Sequence, residues 1–300
     1  MNTSVPLIQA NRLWKMGIEG ENVLIGIVDT GIDLQHPDLA DKIVAIKDFT
    51  RSGKQDRVGH GTAVASVIAG NGYASKGLYK GVAPKAKLVI AKALDNNGNG
   101  QLDWIIDACE WLASQGVKII NLSLGTTVPS DGTDPLCKEV NYLVEKKGII
   151  VVAAAGNEDK QSYAIGSPGA AENAITVAAT DKRDRPASFS SRGPTLDGRP
   201  KPDLAAPGVR IAAARASGTT MGQVINQYYV YVDGTSFAAP HVSGVCALLK
   251  QAFPNLSAKE IKEILRRGCD KIGLRSGCRK NKRIQKLCFS KASKNSKRTK

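Results

Sequence analysis

Ser236 lies in the run Gly234-Thr-Ser-Phe-Ala-Ala-Pro-His-Val-Ser-Gly244, between a strand-like stretch, Gln227–Asp233, and an apolar helical pattern carried by Ala238, Val242, Val245 and Leu249. Its hydroxyl therefore belongs at a strand-to-helix turn. The first N–H groups of a helix have no partner within it and favour negative charge. A serine there either caps the helix or acts as a nucleophile beside donors that can hold an oxyanion. Serine is a weak nucleophile and needs a base, usually histidine, which in turn needs a carboxylate to fix its tautomer. The chain has three histidines, His36, His60 and His241. His60 stands between two glycines at a helix start, which leaves space around its ring but also suits a simple turn. His36 precedes a proline in a turn and His241 lies one turn inside the Ser236 helix, so both read as structural. A carboxylate is offered by Asp29, at the end of an apolar strand.

The elements that must bring these residues together alternate in type. Val23–Val28 is a continuous apolar run, the pattern of a strand buried on both faces. Ile43–Ile46, Leu88–Leu94, Val117–Leu122 and Ile149–Ala155 read the same way. Between them, residues 63–69 form a small-residue helix, 101–115 an amphipathic helix and 135–147 another. Residues 174–233 hold short strand candidates among Gly and Pro, and 235–252 and 257–267 are helical. Residues 1–22 suggest one short packing helix bearing Leu13, Trp14 and Ile18. This alternation predicts a doubly wound, mostly parallel α/β sheet. Asp29, Ser123 and Asn157 all fall just after strand ends, the edge where sites form in such sheets.

The motifs Val28-Asp-Thr-Gly-Ile-Asp33, Gly59-His-Gly-Thr62, Ala154-Ala-Gly-Asn157 and Gly234-Thr-Ser-Phe-Ala-Ala-Pro-His241 resemble, in order, the four signatures of the subtilisin-like serine proteases, peptidase family S8. The resemblance covers residues 7–270 and implies a three-layer α/β fold, a mostly parallel sheet flanked by helices. It implies a serine endopeptidase with Ser236 as nucleophile, His60 as general base and Asp29 orienting it. Asn157 and the backbone N–H of Ser236 would form the oxyanion hole. Ser123, Leu124 and Gly125 resemble one strand that pairs with a peptide substrate, and the loop with Asn97 and Gly98 resembles the other. Ala153, Gly156 and Gly166 resemble the walls and base of an apolar-tolerant pocket, which implies broad specificity. No cofactor is implied for the chemistry. Asp38 is a candidate calcium ligand, although Asn71–Gly81 lacks the Asn-rich calcium loop of secreted relatives. Ala63 and Phe237 replace a histidine and a methionine common in the family. No long pro-segment precedes the body, which resembles the intracellular branch or a processed form.

Composition bounds the rest. The net charge of +15 is uneven: residues 271–300 hold twelve Lys or Arg and no acid, leaving only three of those charges to the first 270 residues. This divides the chain into a peptidase domain, 1–270, and a basic tail, 271–300, expected to be disordered. The tail is either without function, a weak attractant for polyanions, or a nucleic-acid arm with little aromatic support. The rival functions are thus a catalytically silent peptide-binding protein of the same fold and polyanion binding through the tail. Protein or peptide substrates are the expected partners, and the oligomeric state is left open. No run of about 18 apolar residues calls for a membrane span. No secretory signal is visible, so a cytoplasmic location with reduced cysteines is expected. The six cysteines fit no zinc spacing.

Overall fold

The computed structural model describes residues 1–158, 162–272 and 284–286. Two short helices, α1 (Ser4–Leu7) and α2 (Ala10–Trp14), precede strand β1 (Leu24–Asp29) and β2 (Ile43–Asp48). Helix α3 (His60–Ala69), β3 (Lys87–Lys92), α4 (Leu102–Ser114), β4 (Ile119–Leu122), α5 (Pro135–Lys147) and β5 (Ile150–Ala154) follow. Then come β6 (Ile175–Thr180), β7 (Leu204–Pro207), β8 (Ile211–Ala214), β9 (Gln223–Val224) and β10 (Tyr229–Val232). Helices α6 (Thr235–Ala252) and α7 (Ala258–Gly268) and strands β11 (Asp270–Ile272) and β12 (Ile284–Lys286) complete the order. The single N-terminal helix expected from residues 1–22 is two, broken at Gln9, whose φ of 62° lies in the left-handed region.

The main sheet runs β11-β12-β7-β6-β5-β4-β1-β3-β2, and its neighbours from β7 to β2 are all parallel. The apolar runs explain its burial. Alternate side chains point to opposite faces: Ile25, Ile27, Leu88, Ile90, Ile150 and Val152 enter one core, with α3 and α6. Val28, Val89, Ala91, Ile120, Val151 and Ala153 enter a second core, with α4 and α5. Three layers result, with the central strands β1, β3, β4 and β5 buried on both faces and the edge strand β2 half-exposed. Helix α6 crosses under β4 to β7 and packs on α3. A small antiparallel sheet, β8-β10-β9, delivers the chain into α6.

The chain leaves β1 toward β2 and β3 on one side, while β4 and β5 extend the sheet on the other. The ends of β1 and β4 therefore flank the point where winding reverses, the position at which doubly wound sheets leave a crevice. The boundary drawn at 270 from charge falls inside β11, and β12 pairs with β7 at Lys286↔Ala205, within the stretch assigned to the tail. The disorder and polyanion readings of the tail otherwise fall on residues 273–283 and 287–300, outside the described residues.

Candidate active site at the end of the parallel strands

Asp29 ends β1 and is wholly buried. Its Oδ1 accepts from the Thr30 N–H at 2.7 Å and meets His60 Nδ1 at 2.8 Å, while Oδ2 has no hydrogen-bond partner. His60 is the first residue of α3 and remains 19% exposed on its side chain. Burial opposes its charged form, but Asp29 and Asp56 outweigh burial and raise its pKa above 6.5. The two glycines around it have separate causes. Gly59 takes φ 98° at the entry to α3. At Gly61 a Cβ would lie 2.2 Å from the Gly31 carbonyl oxygen, so α3 can sit against the loop after β1 only without a side chain there.

Ser236 is the second residue of α6. Helix α6 carries Pro240 four residues later, which has no N–H and so leaves the Ser236 carbonyl without its helical partner. The Ser123 hydroxyl fills that vacancy, donating to Ser236 O at 2.7 Å. In return the Ser236 hydroxyl donates to Ser123 O at 3.1 Å. Behind them, Asn121 Nδ2 donates to Ser123 Oγ and Ser243 Oγ to Asn121 Oδ1, each at 2.8 Å and all buried. Asn157 follows β5, and its Oδ1 accepts from Thr235 N–H and Thr235 Oγ1, both at 3.0 Å. That orientation leaves its Nδ2 to donate elsewhere. His60, Asn157 and Ser236 line one cavity of about 450 Å³, whose outer side carries Arg210 and Asp233.

A second, larger cleft of about 990 Å³ adjoins His60 and is lined by Gly98, Gly100, Ser123, Leu124 and Gly125. Leu102, Val128 and Leu196 present exposed apolar surface to it. Of the residues expected to touch substrate, Ser123, Leu124, Gly125 and Gly98 line this cleft, while Asn97 does not. Ala153 is 0% exposed and faces the second core, because its neighbours Ala154 and Val152 take the other face of β5. Gly156 lies behind Thr235, to whose Oγ1 its N–H donates at 3.2 Å. Gly166 is buried against the 126–129 segment, bridging Pro129. The sequence segments chosen for the pocket contain no acid, yet Asp131 and Asp134 line the cleft from the loop after Gly125. Asp134 caps α5 and accepts from Ser130 Oγ, Ser167 Oγ and Cys137 N. Burial opposes its charge, but those bonds outweigh it and lower its pKa to about 2.

Three residues of this region carry no motif and were missed from sequence: Asp56, Lys92 and Asn121, all 0% exposed. The usable signal was polarity where a strand or helix should bury carbon, as at Lys92 within Leu88–Leu94. Asp38 is also fully buried, and its two oxygens accept from Ala74 N at 2.9 Å and Tyr229 OH at 2.7 Å. A hard cation takes six or more oxygens, and Asp38 has spent both of its own on protein donors. No group of three or more His, Cys, Asp or Glu suited to a metal occurs among the described residues. The donor set does not fit calcium at Asp38.

Residues 20–285 match the family model described as the subtilase family, Peptidase_S8. The chain is 37% identical over 278 residues to serine protease AprX of Bacillus subtilis, covering 85% of this chain and 62% of that protein's length. It is 38% identical to the major intracellular serine protease of the same organism, covering 82% and 74% of the two chains. Identity to thermitase of Thermoactinomyces vulgaris is 40%, covering 88% and 87%. A crystal structure of a cold-adapted subtilisin-like serine proteinase superposes with a TM-score of 0.74 at 28% identity, over 90% and 89% of the two chains. With the parallel sheet, the histidine–aspartate contact and the serine at the α6 N-terminus already in view, these likenesses identify the chain as a subtilisin-like serine endopeptidase belonging to the subtilase family.

Proposed function

We propose that the protein hydrolyses peptide bonds through an acyl-enzyme, with Ser236 as nucleophile, His60 as general base and then acid, and Asp29 as the carboxylate behind it. The observation that carries this reading is the 2.8 Å contact between His60 Nδ1 and a buried Asp29, in a cavity shared with Ser236 and Asn157. Asp29 Oδ1 fixes the proton on Nδ1, which leaves Nε2 to accept the Ser236 proton. For reaction the Ser236 hydroxyl turns from Ser123 O toward His60. Attack on the substrate carbonyl carbon forms the Ser236 ester linkage through a tetrahedral oxyanion. His60 then passes the proton to the leaving amine as the C–N bond breaks, and water repeats the cycle to release the acid. The α6 N-terminus supports the Ser236 N–H as one oxyanion donor, and the turned amide of Asn157 supports its Nδ2 as the other. No cofactor enters these steps.

Substrate is proposed to pair by its main chain with Ser123–Gly125 and with the loop at Gly98, a mode that gives affinity with little sequence demand. Leu102, Leu124 and Leu196 favour apolar side chains in the larger cleft. Asp131, which is exposed at its rim, adds tolerance for a basic residue. The likeness to a major intracellular protease supports work inside the cell. Among the described residues no helix is long and apolar enough to cross a membrane. The test is casein hydrolysis at pH 8 by the parent chain and by Ser236→Ala. Turnover that disappears with Ser236 is expected. A correctly folded parent without turnover would instead favour a silent peptide-binding protein.

A further inference from the structure

We propose that Asp56 and Lys92, a buried anion and a buried cation on either side of Thr30, position the Asp29–His60 couple and tune the basicity of His60 in opposite directions. This rests on the role proposed for His60 above. Asp56 is the hub of the two loops that carry the couple. Its Oδ1 accepts from Thr30 Oγ1 at 2.8 Å, Val58 N at 3.1 Å and Gly59 N at 2.7 Å. Its Oδ2 accepts from Thr62 N at 2.9 Å and Thr62 Oγ1 at 2.7 Å. Gly59 and Thr62 bracket His60, so one carboxylate fixes the backbone on both sides of the imidazole. Five donors around two oxygens leave them acting only as acceptors, the role of the ionised group.

Thr30 links this hub to Asp29. Its N–H donates to Asp29 Oδ1, its hydroxyl donates to Asp56 and accepts from Gly61 N at 2.9 Å, and its carbonyl accepts from Lys92 Nζ at 2.6 Å. Lys92 ends β3, directly beside Asp29 in the sheet register. Its ammonium also donates to Asn96 Oδ1 at 3.1 Å and, at 3.5 Å, to Gln55 O. Burial presses the Lys92 pKa down, while Asp56, Asp48, Asp95 and Asp29 hold it up. The charged groups facing His60 are Asp29 and Asp56 on the protein side, with Arg210 and Asp233 across the shared cavity toward solvent. A negative Asp56 favours the imidazolium and a positive Lys92 disfavours it. A scaffold role alone would give neither a sign nor a pairing of signs.

The experiment follows the His60 imidazole by NMR across pH, in the Ser236→Ala chain to prevent self-digestion. The acid limb of kcat/KM is read in parallel on chains that keep Ser236. Asp56→Asn should lower the His60 midpoint by roughly 0.5–1 pH unit, and Lys92→Met, which acts from behind Thr30, should raise it by a smaller but resolvable amount. The charge-conserving Asp56→Glu and Lys92→Arg should leave it near the parent value. Shifts of the same sign, or none in folded protein, would overturn the proposal, as would equal shifts in the charge-conserving pair. Should Asp56→Asn fail to fold, Lys92→Met against Lys92→Arg decides alone. The NMR midpoint needs no turnover, so opposite shifts beside a folded Ser236-bearing parent that shows no turnover would sink the proposed function while leaving the electrostatic effect of Asp56 and Lys92 on His60 in place.

Discussion

Replacing Ser123 with alanine removes one hydroxyl that satisfies a buried amide and a partly buried carbonyl. It donates to the Ser236 carbonyl at 2.7 Å and accepts from Asn121 Nδ2 at 2.8 Å. The carbonyl cannot fall back on the helix, because the residue four positions on is Pro240. A buried polar group left without a partner costs about 1–3 kcal/mol, so two such groups, partly relieved by relaxation, give a loss of about 2–4 kcal/mol. In a body of this size about 2–4 °C accompanies each kcal/mol, which puts the expected fall in Tm at roughly 4–16 °C. Calorimetry at a fixed scan rate in the Ser236→Ala chain measures it, since that chain keeps the main-chain carbonyl and cannot digest itself. The discriminating variant is Pro240→Ala, which restores an N–H within α6. Alone it should change Tm little. With Ser123→Ala it should recover about 1–2 kcal/mol, roughly 2–8 °C, as one carbonyl regains a donor. Additive effects, with Pro240→Ala doing the same in both backgrounds, would refute the reasoning.

Asn157→Ala should lower kcat with little change in KM; subtilisin loses about 10²–10³ in kcat with its corresponding asparagine, and the same order is expected in steady-state peptide assays here. The base must be neutral, and the pKa of His60 is raised above 6.5 by Asp29 and Asp56. The acid limb of kcat/KM should therefore have its midpoint above pH 6.5, with activity gained as pH rises through it; a midpoint below 6.5 would contradict that electrostatic account. Tyr229→Phe removes the donor to buried Asp38 and should lower Tm by roughly 2–8 °C. Chelation of divalent ions should leave the parent Tm unchanged, and a large drop that Asp38→Asn abolishes would show that Asp38 does serve a cation.

Much of the fold was legible because the two periodicities are clean. The apolar runs at 24–29, 87–92 and 150–154 alternate between two cores, so each reads as a strand buried on both faces. The helix 135–147 matches its sequence reading at both ends, fixed by Asp134 as cap and Gly148 as stop. Motif residues were legible for a related reason. Asp29, His60, Asn157 and Ser236 stand at strand ends and helix starts, which short-range pattern locates well. What was not legible depends on side chains meeting across the fold. Ala153 belongs to a motif by adjacency, but the alternation along β5 turns it into the second core. Asp131 and Asp134 reach the cleft because the loop after Gly125 folds back over it. Asp38 looked like a cation ligand until Tyr229, 191 residues away, supplied its hydroxyl. That Pro240 leaves the Ser236 carbonyl without a donor could be inferred from the helix alone, but the hydroxyl that fills the gap lies 113 residues away.

The central claim is that Ser236 is the nucleophile of this subtilase, activated by His60. Treating the folded chain with a fluorophosphonate and measuring intact mass, followed by peptide mapping, tests it most directly. One adduct on Ser236 is expected, forming faster as pH rises through the His60 midpoint and vanishing in Ser236→Ala. An adduct on another residue, or equal labelling of the parent and Ser236→Ala chains, would contradict it.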